Sequence, residues 1–288
     1  MAIILDDKIK IIVQGITGNQ GQFHTGQMLA YGSTIVGGVS PGKAGQEVQG
    51  VPVYETVEEA MQVQTADASV IFVPAKLVKD ASLEAMEAGI KTLVIITEHV
   101  PLHDAMEIMD YAEKKQVGII GPNTYGIISP GKSKIGIMPN SIFRPGPVGV
   151  VARSGTLSYE IVFQLSSAGI GQSTVLGLGG DRIVGYSFID ILEKFESDPG
   201  TQAVVMVGEI GGNAEEEAAQ YIRERMSKAV VAFLAGKSAP PGKRMGHAGA
   251  IIERGKGTFE SKVAALSAAG VQVASLPWEV GEMVKRAL

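Results

Sequence analysis

The residue in this 288-residue chain whose surroundings most suggest chemistry is His247. It stands in the run Gly242-Lys-Arg-Met-Gly246-His247-Ala-Gly249-Ala, where small residues on both sides let an imidazole stand clear of the backbone and let the loop move. An imidazole so placed can be a general base, a metal ligand or a nucleophile. No second His or Cys lies at ligand spacing, which argues against a metal. A nucleophilic imidazole needs a group to hold its other nitrogen and donors for the anion it acquires. Glu209, in Val-Gly-Glu209-Ile-Gly-Gly212, closes a strand-like run and can accept the Nδ1–H. Arg153-Ser154-Gly155-Thr156 ends another such run and opens a helix, so Ser154, Gly155 and Thr156 can offer amides and hydroxyls to a phosphate. A helix-entry glutamate and an ordinary capping serine are the structural alternatives. The other three histidines, His24, His99 and His103, read as surface or packing residues.

A second cluster lies near the start of the chain. Gly15-Ile-Thr17-Gly18-Asn19-Gln20-Gly21 follows the first strand and opens a helix, an arrangement that brings backbone amides near a phosphate. The spacing is G-x-x-G-x-x-G rather than G-x-G-x-x-G, and a turn that only packs helix on strand has the same pattern. A dinucleotide site usually places an acid about 20 residues past the glycines. Here the second strand runs into Ser40-Pro-Gly-Lys43, and a lysine suits an additional phosphate, as on NADP or on the 3′-phosphoadenosine end of coenzyme A, unless it is merely solvated. The fourth strand ends in Ile96-Thr97-Glu98-His99, at the ligand-facing end of a parallel strand. The string GIISPGKS at 126–133 imitates a nucleotide phosphate loop. The next residues, Lys134-Ile-Gly-Ile-Met-Pro139, make a run too short and Pro-terminated for the required helix, so no ATP site is expected there.

These residues need scaffolding, and the apolar pattern supplies it. Strands are predicted near 9–14, 34–39, 68–73, 92–96 and 117–120, with helices at 20–31, 56–62, 76–88 and 102–115. After a Gly- and Pro-rich break the rhythm resumes, with strands near 148–152, 173–178, 202–207, 229–234 and 271–274, and helices near 155–168, 187–197, 213–226, 258–269 and 277–287. The expected architecture is α/β: two open parallel-sheet lobes, at 1–122 and 148–288, joined by a linker at 123–147.

Composition narrows the partners. The 25 Lys+Arg against 30 Asp+Glu give a net charge of −5 without a basic block, so nucleic acid is not an expected partner. No apolar run reaches the roughly 18 residues of a membrane span. There is no cysteine, hence no disulfide, thiolate nucleophile or Cys-ligated zinc. The first residues lack the features of a secretory signal, and a cytoplasmic location is expected. Glycine, 37 of 288, is nearly double the usual ~7%, as expected of tight strand-to-helix turns and of backbone that approaches a ligand.

Taken together, GITGNQGQFH (15–24), VSPGK (39–43), ITE (96–98), GPN (121–123), KIGIMP (134–139), RSGTLSYE (153–160), GEIGG (208–212) and GKRMGHAGAII (242–252) resemble the α subunits of succinyl-CoA synthetase, also called succinate–CoA ligase, along nearly the whole chain. The resemblance implies a Rossmann-like CoA-binding domain followed by a flavodoxin-like ligase domain. It implies that coenzyme A is bound through Thr17, Gly18, Asn19, Gln20, Lys43, Ile96, Thr97 and Glu98. His247 would be phosphorylated in turnover, with Glu209 positioning it, Ser154 and Gly155 facing its phosphate, and Tyr159 near the organic acid. It also implies an ATP-grasp β subunit carrying ATP or GTP and Mg²⁺, an αβ or α₂β₂ assembly, and a place in the tricarboxylic acid cycle. Thr124-Tyr125 and Arg182 stand where the family usually has Cys-Pro and Pro. Malate–CoA ligase α subunits, which share most of the motifs, are one alternative, and an NADP-linked oxidoreductase built on the Gly loop and Lys43 is another.

Overall fold

The computed structural model describes residues 2–240, 242–253 and 255–288. Pro241, which precedes the His247 run in sequence, lies outside them. The first lobe comprises β1 (Lys10–Gln14), α1 (Asn19–Tyr31), β2 (Thr34–Val39), β3 (Glu47–Val48), β4 (Val51–Tyr54), α2 (Val57–Val63), β5 (Ala68–Ile71), α3 (Val78–Glu87), β6 (Thr92–Ile95), α4 (Leu102–Lys115) and β7 (Gly118–Ile120). Its sheet runs β3-β4-β2-β1-β5-β6-β7. All neighbours are parallel except the edge pair β3–β4. Numbering only the six parallel strands gives the order 3-2-1-4-5-6, that of the Rossmann fold. The β3–β4 hairpin was not foreseen from sequence. Its turn rests on Gln49 and Gly50, both at positive φ (55° and 79°), the conformation that suits a tight hairpin.

The second lobe comprises β8 (Gly126–Ser129), β9 (Ser133–Gly136), β10 (Pro145–Ala152), α5 (Gly155–Ser167), β11 (Gln172–Gly177), α6 (Phe188–Ser197), β12 (Ala203–Glu209), α7 (Ala214–Arg225), β13 (Ala229–Ala235), α8 (Phe259–Ala268), β14 (Gln272–Ala274) and α9 (Val280–Ala287). Its sheet runs β14-β13-β12-β10-β11-β8-β9. The five parallel strands have the order 2-1-3-4-5, that of flavodoxin. Within 123–147, the stretch expected as a linker, β8 and β9 form an antiparallel hairpin that joins this sheet through β11. The sheet is therefore mixed, not wholly parallel. The residues that read as breakers are what the hairpin requires: Gly126 and Gly136 face each other in register, and a Cβ on either would strike the opposite backbone. The same hairpin accounts for the GIISPGKS string, whose Gly131 and Lys132 lie in a strand-to-strand turn.

The central strands are buried on both faces, which is why they read as continuous Val/Ile runs rather than alternating ones. One apolar cluster extends through both lobes, from Ile11, Val13 and Met28 to Ile127, Ile135, Val151 and Leu176. Hydrogen bonds join the lobes across it. The Ser33 hydroxyl donates to the Lys134 carbonyl (2.7 Å), the Asn123 amide to Thr97 O (3.0 Å), and the Tyr186 amide to Ile119 O (2.9 Å). The ends of β6 and of the 121–126 segment are thereby held against the second sheet. No helix among the described residues is long and apolar enough to cross a membrane.

Candidate active site between the lobes

In an open α/β sheet a ligand crevice forms at the carboxyl ends of the strands where the strand order reverses. In the first lobe this point lies between β1 and β5. Gly15, at φ 80°, turns the chain out of β1, and Gly21 lets α1 approach that turn, since a Cβ there would meet the backbone of Gly15 and Ile16. The loop between them presents Thr17 half-buried and Gly18, Asn19 and Gln20 exposed. No side chain caps α1, so its first amides stay open to a ligand, whereas Thr56, Ser187 and Thr258 cap α2, α6 and α8 with their hydroxyls. The Thr17 hydroxyl lies 3.0 Å from that of Ser40, which ties the Gly loop to the segment bearing the exposed Lys43.

In the second lobe the reversal lies between β10 and β12; β10 ends two residues before Ser154, and β12 ends at Glu209. Ser154 is the uncapped entry to α5. The glycines of GEIGG receive the histidine loop: Gly211, at φ 94°, packs against the backbone of Gly249 and Ile251. This brings His247 Nδ1 to 2.8 Å from Glu209 Oε2, with Glu209 only 6% exposed. The imidazole lies against Gly180, where any Cβ would overlap its ring. With Nδ1 engaged by a carboxylate, Nε2 is the nitrogen available for attack. Hydrogen bonding to Glu209 pushes the imidazole above its ordinary 6.5 while partial burial opposes this; the charges of Glu209 and Asp181 add to the rise and the Arg153 guanidinium opposes it.

The two crevices share a space. A cavity of about 530 Å³ is lined by Ile96, Thr97 and Glu98 from the first lobe, by Asn123, Thr124 and Tyr125, and by Arg153, Ser154, Gly155, Tyr159 and His247 from the second. Glu209 reaches it through His247. Thr17 to Gln20 and Lys43 are not part of its lining, so the sequence-predicted residues divide into one group around the cavity and another at the far ends of β1 and β2. Burial raises the Tyr159 and Tyr125 hydroxyls, keeping both neutral; their rings pack edge to face at 5.5 Å. Of the unusual residues, Thr124 donates its hydroxyl to Gly177 O (2.6 Å) and accepts from the Gly126 amide (3.0 Å), a bracing role. Arg182 reaches Ala248 O and Glu253.

Sequence reading gave no role to Asp181, Asn123 or Gly180. Asp181 accepts from the Asn123 side-chain Nδ2 at 3.0 Å, and burial pushes its carboxyl above the ordinary 3.8. The signal available was the Gly179-Gly180-Asp181 run after β11, again at a strand's carboxyl end. The remaining histidines are as expected: His24 stacks on Phe72, and His99 and His103 are exposed.

Comparison with known proteins bears on both lobes. The CoA binding domain family matches residues 6–99, and the CoA-ligase family matches residues 151–272. Over 288 residues the chain is 58% identical to succinate–CoA ligase (ADP-forming) subunit alpha 2 of Archaeoglobus fulgidus, covering 100% of both chains. It is 57% identical over 286 residues to the corresponding subunit alpha of Methanothermobacter thermautotrophicus, covering 99% of this chain and 97% of that one. Among solved structures, Methanosaeta concilii ATP citrate lyase in complex with (3S)-citryl-CoA superposes with a TM-score of 0.91 at 27% identity, over 99% of this chain and 50% of that longer chain.

Proposed function

The chain belongs to the succinate–CoA ligase (ADP-forming) α-subunit family, and from that premise we propose that it works with a β subunit to convert succinate, CoA and ATP reversibly into succinyl-CoA, ADP and phosphate, with His247 as phosphoryl carrier. The observation that carries this reading is the 2.8 Å Glu209–His247 contact at the edge of a cavity that also holds Ile96, Thr97 and Glu98.

In the ligase direction Nε2 attacks the γ-phosphorus of ATP presented by the partner, the bond to the bridging oxygen breaks, and ADP leaves. Glu209 keeps the proton on Nδ1 and stabilises the charge the ring acquires. The phosphoryl group then faces the open end of α5, at Ser154 and Gly155, where backbone amides and the helix dipole favour an anion. Succinate takes it as an acyl phosphate, with Tyr159 beside the acid, and the CoA thiol displaces phosphate to give the thioester. Coenzyme A lies with its phosphates on the loop of Thr17, Gly18, Asn19 and Gln20, its 3′-phosphate near Lys43, and its thiol end at Ile96, Thr97 and Glu98. Because phosphohistidine, acyl phosphate and thioester are all energy-rich, each step is readily reversed.

The nucleotide and Mg²⁺ belong, in this reading, to an ATP-grasp β subunit in an αβ or α₂β₂ cytoplasmic enzyme of the tricarboxylic acid cycle. The test is to incubate the chain and its co-purified partner with Mg²⁺ and γ-labelled ATP or GTP. A base-stable, acid-labile label on His247, discharged by succinate plus CoA and absent from His247→Ala, is the expected result. Full ligase activity in His247→Ala overturns the mechanism.

A further inference from the structure

Arg153 has a setting that its motif alone does not explain. It follows the last residue of β10 and directly precedes Ser154, and its backbone amide is fixed to Val207 O at 3.1 Å. Its side chain lines the cavity that holds His247 and also a second cavity of about 900 Å³ behind the histidine loop, with Gly211, Gly249 and Arg182. It lies against that loop, since a Cβ on Gly249, two residues from His247, would stand 3.3 Å from Nη1. The side chain is only 17% exposed, yet its buried Nε–H finds no acceptor among the described residues.

The nearest carboxylate is Glu215, whose Oε1 lies 3.9 Å from that Nε. Glu215 is already committed. Its Oε1 accepts the Glu209 amide at 3.1 Å and its Oε2 pairs with Lys262, which is fully buried. Gly208 makes room for this, because a Cβ there would lie 2.7 Å from Glu215 Cγ. Lys262 also binds Gly212 O (3.2 Å) and Glu216 (2.9 Å). Burying a lysine in this way is unfavourable unless its charge is matched. Here Glu215 is held by Lys262 and by the Glu209 amide, and its Oε1 stays 3.9 Å from Arg153 Nε, beyond hydrogen-bond reach. An arginine left under-paired beside a histidine, in a polar cavity, holds positive potential and free N–H donors for an anion that arrives later.

We propose that Arg153 is a phosphoryl ligand of the carrier histidine: its guanidinium binds the oxygens of the phosphoryl group on Nε2, completing with Ser154 and Gly155 a site that the Glu215–Lys262 pair keeps open by drawing Glu215 away. This rests on the phosphohistidine reading of His247. In the transfer step the Nε2 lone pair forms the N–P bond, the bridging P–O bond breaks and ADP leaves with its electrons. No proton moves at Nε2, because the attacking imidazole carries its proton on Nδ1. Arg153 serves both sides of this step. Before transfer its charge opposes a second proton on the ring, against Glu209 and Asp181, which favour one; after transfer the same charge faces a dianion.

The test uses the chain with its partner subunit, comparing wild type, Arg153→Met, Arg153→Lys and His247→Asn. Labelling from γ-labelled ATP is followed by rate and by the lifetime of the phosphoenzyme, and the His247 ring is titrated by NMR through its Cε1–H. Arg153→Met is expected to lower the labelling rate about ten- to a hundred-fold, the range for one lost charge-assisted contact, and to move the His247 titration to higher pH. Arg153→Lys, which keeps the charge but not the fork, is expected to restore the titration and only part of the rate; it also decides the matter if Arg153→Met does not fold. Wild-type labelling with an unmoved titration in a folded Arg153→Met enzyme, or a wild-type labelling rate in Arg153→Lys, overturns the proposal. Absence of label from wild type itself refutes instead the phosphohistidine reading on which it stands.

Discussion

Gly180→Ala isolates the histidine geometry from the rest of the fold. Gly180 has no left-handed backbone to strain, and its amide and carbonyl bonds, to Asn123 O (3.1 Å) and from the Gly249 amide (3.3 Å), survive the change. The added methyl would lie 2.9 Å from His247 Nδ1 and nearer still to Cγ and Cδ2, whereas ordinary contact begins at 3.4 Å. Cγ and Cδ2 would stand at 2.4 Å, so the ring must retreat by about 1 Å to reach ordinary contact, which stretches the 2.8 Å bond to Glu209 out of its favourable range. A hydrogen bond to a charged group contributes roughly 1.5–3 kcal/mol, so losing most of it slows phosphorylation of His247 about ten- to a hundred-fold. The ring is the free end of a side chain, so it can yield without moving the sheet, and Tm should change by no more than about 2 °C. Rapid-quench measurement of phosphoenzyme with γ-labelled ATP, beside calorimetric CoA titration, checks this. A wild-type labelling rate, or an equal loss of CoA affinity, refutes the reasoning.

Three further outcomes rest on the same geometry. In Glu209→Gln the charge that raises the His247 pKa is lost, so its acid limb moves to lower pH while transfer at pH 8 falls roughly ten-fold; a pH–rate profile of labelling with an unshifted limb contradicts the assignment. Lys43→Ala should weaken CoA about two- to five-fold, less so at high salt, and leave 3′-dephospho-CoA binding unchanged; equal loss for both ligands removes the 3′-phosphate from Lys43. Burial lowers the Lys134 ammonium to about 8 from 10.5, so the folded state holds fewer protons than the unfolded chain between those values. Stability therefore rises with pH across that window and is lost as pH falls through 8. Urea titrations of wild type and Lys134→Met at pH 7 and pH 10 should differ in that sense, and parallel pH responses would be inconsistent with it.

The chain's own order of residues determined the two α/β lobes, because parallel strands buried on both faces must be apolar throughout and so stand out as Val/Ile runs such as 202–207. It also exposed the local site elements, since a glycine turn after β1, an open helix entry at Ser154 and glycines around His247 act over a few residues. What it hid depended on distance along the chain. The β8–β9 hairpin reads as a linker because its glycines are needed by a strand ten residues away, not by their immediate neighbours. Glu209 and His247 are 38 residues apart, and only the β12 turn against the histidine loop brings them to 2.8 Å. The 530 Å³ cavity takes Thr97 from one lobe and His247 from the other, and Glu215 comes to lie between Arg153 and the buried Lys262 of α8 only when α7 and α8 pack on the sheet. Local backbone preference can be read residue by residue, but a site made where two sheets present their carboxyl ends, and a charge balance set by burial, arise only when the whole chain has packed.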